Sequence, residues 1–177
     1  MAEEVVLRDG TSAMIWPLLP TDRAGLRAGY QRLSAEAQYH RFLAVVPQLT
    51  DRMLHVLVDE VDGVDHVALV IVVLPAGGDT EPVGVARMVR YRDRPYAADV
   101  AVTIAEDWRG RGAATALLES LVRHRPAGVK QVVTQVDVDN AASLAMLRHL
   151  GPVEVKAAGA GVLEVLVGLD VPPDERR

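Results

Sequence analysis

Hydrophobic positions along this chain switch between a two-residue and a 3.6-residue period, and the switches divide it into elements. Val5 to Leu7 and Ala13 to Leu19 read as strand material around an Asp9-Gly10 turn, and Pro20-Thr21-Asp22 then supplies a helix start. Leu26, Tyr30 and Leu33 recur at helical spacing and give the first helix one apolar stripe, despite the helix-weakening Gly25 and Gly29. A second helix begins near Ser34. A third begins at Thr50, where Met53, Leu54, Leu57 and Val58 form one apolar face, and Asp62-Gly63 ends it.

The period then shortens. Val67 to Leu74, Val83 to Tyr91 and Ala98 to Ile104 are valine-rich and separated by turn-like stretches, PAGGDTEP and RDRP, which predicts three neighbouring antiparallel strands. The helix from about Gly112 to Arg125 turns Ala114, Leu117, Leu118, Leu121 and Val122 inward and leaves Glu119, Arg123 and His124 to solvent, and Pro126 and Gly128 stop it. Val132 to Val138 is the next strand and 140–150 a helix. Val153 to Val155 and Val162 to Leu169 form a final pair around AAGAG. The expectation is one mixed α/β (α+β) domain over 1–170, with a disordered tail at 171–177.

Composition removes several functions. Half of the 177 residues are hydrophobic, enough to bury the core of one domain. The 19 basic and 24 acidic residues give a formal charge of −5, and no basic stripe favours a nucleic-acid partner. The absence of cysteine excludes disulfides, thiolate catalysis and zinc-thiolate sites, and fits a reducing compartment. The acidic start Met1-Ala2-Glu3-Glu4 lacks the pattern of a secretory signal, and the longest apolar run, Val67 to Pro75, falls short of the roughly 20 residues a membrane helix needs. A cytoplasmic protein without a membrane partner is expected. His40, His55, His66, His124 and His149 show no metal-ligand spacing, so no metal is expected.

Candidate chemistry concentrates in 97–114, AADVAVTIAEDWRGRGAA, where an apolar strand enters a turn with two glycines and two arginines and a helix leaves it. Glycines there let backbone N–H groups converge on an anion at the positive end of a helix dipole, and Arg109 and Arg111 add charge-assisted donors suited to a pyrophosphate. No lysine follows the glycines, which excludes a Walker-type phosphate loop. A dinucleotide fingerprint has Gly110 and Gly112 at the right spacing but Thr115 in place of its third glycine, and stays open at this level, as does an ordinary glycine turn.

Arg109-x-x-Gly112-x-Ala114 resembles the R/Q-x-x-G-x-G/A signature of the GNAT N-acetyltransferase superfamily, with Trp108 where that family often has an aromatic. Asn140, 26 residues beyond Ala114, opens the helix Asn140-Ala141-Ala142-Ser143 and resembles the family's second cofactor-contacting segment. The order of elements resembles the GNAT fold over nearly the whole chain, which implies a central, mixed, mostly antiparallel twisted sheet flanked by helices. The resemblance also implies acetyl-CoA as co-substrate. The strand backbone at Val102, Thr103 and Ile104 would hold its pantetheine arm, the turn at Arg109, Gly110, Arg111, Gly112, Ala113 and Ala114 its pyrophosphate, and Asn140 and Ser143 would add contacts. Ser143 reads equally well as a cap of its helix. Within the superfamily, Ser34-x-Glu36-x-x-Tyr39-x-Arg41-Phe42 and the strand Asp99 to Ile104 resemble bacterial protein lysine acetyltransferases that act on acyl-CoA synthetases. Tyr39, Arg41 and Phe42 are also compatible with a helix packing its aromatics on the sheet, with Arg41 in a surface ion pair.

That resemblance makes Asp99 the general base, and the chemistry shows why an acid is wanted. A lysine amine is neutral in only about one molecule in 2,500 at pH 7, equivalent to roughly 4.6 kcal/mol, so its proton needs an acceptor. On an alternating strand Asp99, Ala101 and Thr103 share a face, so Asp99 can point into a cleft. It is one methylene shorter than the glutamate of the related enzymes, which leaves direct reach and a bridging water both open. An ion pair with Arg92 or Arg94 is the alternative role. The general-acid tyrosine of many GNAT enzymes is replaced by Met146-Leu147, as the lysine acetyltransferases also tend to do. Acetylation of a small amine such as an aminoglycoside, polyamine or amino acid, or a non-catalytic acyl-CoA-binding module, are the other readings.

Overall fold

A computed structural model describes residues 2–74 and 80–169. Its strands in chain order are β1 (Glu3–Val6), β2 (Ser12–Pro17), β3 (His66–Val73), β4 (Glu81–Arg90), β5 (Ala97–Ile104), β6 (Gln131–Asp137), β7 (Val153–Gly159) and β8 (Val162–Gly168). They form one sheet in the order β1-β2-β3-β4-β5-β6-β8-β7. Every neighbouring pair is antiparallel except β5 and β6, which run parallel. The helices are α1 (Arg23–Gln31), α2 (Ala35–Phe42), α3 (Asp51–Leu54), α4 (Ala113–Arg123) and α5 (Ala141–Arg148). The proposed tail at 171–177 lies outside the described residues.

The continuous apolar run of β3 is buried on both faces, as such runs require. Leu69 and Ile71 pack with Leu117, Leu118 and Leu121 of α4, whereas Ala68, Val70 and Val72 pack with Leu18 and Val58 on the opposite face. Tyr30, Leu33, Ala37 and Leu54 join α1, α2 and α3 into a layer beside that second face. The sheet is thus covered on both sides, with α5 sharing the α4 side through Leu147.

Three local features depart from the periodic reading. The third helix turns from α-helix to π-helix at His55–Asp59, a widening that keeps Leu54 and Val58 buried at 0% and 1% exposure. β7 runs on through Ala157 and Ala158 because the chain reverses at Ala160 and Gly161, with φ of +50° and +76°, a hairpin geometry that twists with its strands. The inward face of α4 carries the buried Ser120, whose hydroxyl donates to Glu3 Oε2 at 2.5 Å and joins β1 to that helix. His124 is partly buried rather than solvated, its Nδ1 2.9 Å from the Ser120 carbonyl.

Pairing between β5 and β6 is confined to Ala97 and Ala98 opposite Gln131 and Val132, and the two strands part beyond that point. β5 stays paired with β4 as far as Ile104 on its other edge. A backbone edge from Asp99 onward therefore faces an opening in the sheet. Among the described residues no helix is long and apolar enough to cross a membrane.

Candidate active site

Two cavities occupy that opening and share His40, Arg41, Val102, Ser143 and Met146 in their walls, so they form one cleft. The larger, 470 Å³, lies at the start of α4 and is lined by Val102, Thr103, Ile104, Arg109, Gly110, Gly112, Ala113, Ala114, Asn140 and Ser143. Gly112 is the N-cap of α4 and makes no side-chain cap, so the first N–H groups of that helix keep no side-chain partner. Open N–H groups at a helix start, with the edge of β5 beside them, fit a phosphate followed by an amide-bearing arm.

The two glycines serve this turn differently. Gly110 has φ +74°, a left-handed conformation, but a Cβ there would meet nothing within 4 Å. Gly112 has φ +96°, and its Cβ would lie 3.2 Å from the backbone nitrogen of Arg8. The β1–β2 turn packs directly on this segment, with Arg8 N–H donating to the Arg111 carbonyl at 2.9 Å. Arg8 consequently lines the cavity, which local sequence spacing gives no means of seeing. Arg111 does not line it: its guanidinium sits 4.5 Å over the Trp108 ring and 3.5 Å from Asp9 Oδ2. Arg109 is held 3.9 Å from Glu106 Oε1. Asn140 caps α5, accepting the Ser143 N–H at 3.0 Å, so the capping role belongs to Asn140 rather than to Ser143.

The second cavity, 440 Å³, lies where β5 and β6 begin to part and contains Asp99. Burial pushes the Asp99 carboxyl above its ordinary range, opposed by a hydrogen bond from Thr134 and by the charge of Arg41. Neither Arg92 nor Arg94 pairs with it. Arg94 pairs instead with Asp93, at 3.7 Å, and lies 4.6 Å over the Tyr91 ring. Met146 stands on the wall common to both cavities and offers no proton, and the Tyr91 hydroxyl donates to the Val133 carbonyl at 3.0 Å.

α2 spans the cleft from one cavity to the other. Ser34 caps it, its hydroxyl accepting from Ala37 N–H at 3.2 Å, while the Ser34 N–H donates to Glu106 Oε1 at 2.9 Å. The last turn brings Arg41 to Asp99, with its guanidinium 4.6 Å from the centre of the Phe42 ring. Arg41 is therefore no surface ion-pair residue. Desolvation lowers its pKa, and the charge of Asp99 opposes that shift. Arg87 lies behind it on β4, only 6% exposed, with a pKa lowered to about 9 by burial and then by Arg41. A charged residue inside the apolar β4 run was the available signal for Arg87. Among the described residues no group of three or more His, Cys, Asp or Glu side chains is placed to hold a metal.

Comparison with known proteins bears on this geometry. The model of the acetyltransferase (GNAT) family matches residues 47–151. Acetyltransferase Pat of Mycolicibacterium smegmatis is 32% identical over 170 residues, covering 96% of this chain but 49% of that protein, so the chain spans about half its length. Acetyltransferase PA5475 of Pseudomonas aeruginosa is 32% identical over 141 residues, covering 79% of this chain and 73% of that one. The GNAT domain of S. lividans PAT superposes with a TM-score of 0.82 at 28% identity, over 95% of this chain and 97% of that chain. With an open β5 edge, an uncapped α4 and these relatives, the chain belongs to the GNAT acetyltransferase family.

Proposed function

We propose that this chain transfers an acetyl group from acetyl-CoA to the side-chain amine of a lysine in a protein, such as an acyl-CoA synthetase, by direct attack in a ternary complex. The observation that carries the reading is the placement of Asp99 where β5 leaves β6, in a cavity continuous with the glycine turn. Acetyl-CoA, when bound, supplies a thioester-activated acetyl group. The α4 start and Arg109 would hold its pyrophosphate, and the β5 edge from Val102 to Ile104 its amide-bearing arm. Asp99 takes the ammonium proton, directly or through one water, and the freed lone pair forms the new C–N bond while sulfur departs with the C–S electrons. The nitrogen then sheds its surplus proton to water. No side-chain acid serves the sulfur, and a thiol with a pKa of about 8.5 leaves tolerably without one.

The cleft argues against a polyamine acceptor. Arg41 and Arg94 line it with Asp99 and Glu164, which is not the acidic surface a polycation would need. A thiol-release assay with acetyl-CoA and candidate acceptors, an acyl-CoA synthetase among them, decides the acceptor. Release that depends on the protein acceptor supports the reading; release with small amines alone replaces it. Calorimetry tests the binding half separately. Gly112→Asp adds a side chain against Arg8 and a negative charge beside the pyrophosphate position, so acetyl-CoA affinity should fall by about tenfold or more. Unchanged affinity would sink the assignment of the turn, and tight NAD binding in its place would restore the dinucleotide reading.

A further inference from the structure

Arg41, Arg94, Asp99 and Glu164 are the charged groups that line the cavity holding Asp99, and Arg94 is engaged by Asp93. Arg41 comes from α2 to the same cavity wall as Asp99, and Arg87 of β4 lies behind Arg41 rather than in that wall. Among the described residues no carboxylate comes within ion-pair distance of either arginine. Arg87 donates through Nη1 to His66 Nε2 at 3.1 Å, and that ring is itself bonded to the Glu60 carbonyl. Burial and the charge of Arg87 hold His66 below its ordinary pKa, which disfavours a further positive charge beside Arg87. His40, Tyr91, Arg94 and Glu164 complete the charged and titratable lining, and Tyr30 faces Arg41 from α1.

We infer that Arg41, backed by the buried Arg87, is a positioning residue that acts through its field: it holds the acceptor amine in its neutral, attacking form and keeps Asp99 ionised beside it. The inference rests on the acetyl-transfer reading of this cleft. An ammonium entering the cavity meets like charge on Arg41 and loses its proton more readily, while the same charge favours the Asp99 carboxylate that receives it. Salt-bridging Arg41 to a carboxylate would cancel this effect, which gives a functional meaning to its lack of one.

The test uses an Nα-blocked lysine peptide and the same peptide with S-aminoethylcysteine at the acceptor position, a less basic amine. Transfer is followed against pH for the wild type, Arg41→Gln and Arg41→Lys. The kcat/KM profile reports Asp99 in the free enzyme, and the kcat profile reports groups in the ternary complex. In Arg41→Gln both acidic limbs should move to higher pH by about one unit. Arg41→Lys should hold them near the wild type, and the deficit of Arg41→Gln should be smaller with the less basic amine. A carboxyl-carbon NMR titration of Asp99 reads the same field without turnover, and its midpoint should rise in Arg41→Gln. An unmoved Asp99 midpoint, or a rate loss equal at every pH and for both amines, overturns the inference. Shifted Asp99 titration in a protein that releases no thiol from any acceptor would leave the field standing and remove the acetyl-transfer reading instead.

Discussion

Asp99 carries the sharpest consequences of any single residue, because its burial has opposite effects on activity and stability. Asp99→Asn cannot take a proton, so turnover near neutral pH should fall on the order of 10²-fold or more while acetyl-CoA affinity is retained. The deficit should shrink as pH approaches the lysine pKa, where more acceptor is already neutral; a constant deficit would assign Asp99 to positioning. Stability moves the other way. The folded-state pKa of Asp99 is raised, so the folded protein binds this proton more tightly than the unfolded chain and loses stability as pH climbs from the unfolded value through the folded one. Asp99→Asn should therefore melt higher than the wild type at neutral pH, and the gain should vanish below the unfolded value. A lower melting temperature at neutral pH would mean that Asp99 is a structural partner. His66 has a lowered pKa and gives the opposite slope, with its contribution complete above the unfolded value and lost as pH falls through the folded one. His66→Gln should flatten that acid-side loss in a pH series of melting curves.

Among the elements, α2 links the two halves of the cleft, tied to the glycine turn at Ser34 and carrying Arg41 at its other end. Ser34→Ala removes its cap and should cost about 1 kcal/mol in denaturant unfolding, with Ser34→Gly costing less. No loss in Ser34→Ala would mean the cap contributes nothing. Most of these elements were legible in the chain because periodicity is a local property: β3, β4, β5 and α4 all stand where apolar spacing puts them. The π-turn at His55–Asp59 was not legible, since the same apolar face satisfies either helix width. The parting of β5 from β6 was also hidden, because the length over which two distant strands pair has no local signal. The same reason hid Arg8, which reaches the glycine turn only through packing. Where the Arg111 guanidinium sits, over Trp108 and beside Asp9, was hidden for the same reason, since the contact with Asp9 spans distant parts of the chain.

Across the whole molecule, a chain of net charge −5 concentrates arginine at its cleft, Arg8 and Arg109 at the anion end and Arg41 and Arg94 at the acceptor end. Such a distribution draws an anionic co-substrate into one end and disfavours a polycation at the other. It leaves one claim at the centre, that a single lysine amine reaches Asp99 and leaves acetylated. The most direct measurement is mass spectrometry of a purified acyl-CoA synthetase after incubation with acetyl-CoA and this protein. The expected result is a mass increase of one acetyl group, located on a lysine side chain, that appears with the wild type and is lost on the order of 10²-fold in rate with Asp99→Asn. An unmodified synthetase, or equal acetylation with and without the protein, would contradict the account.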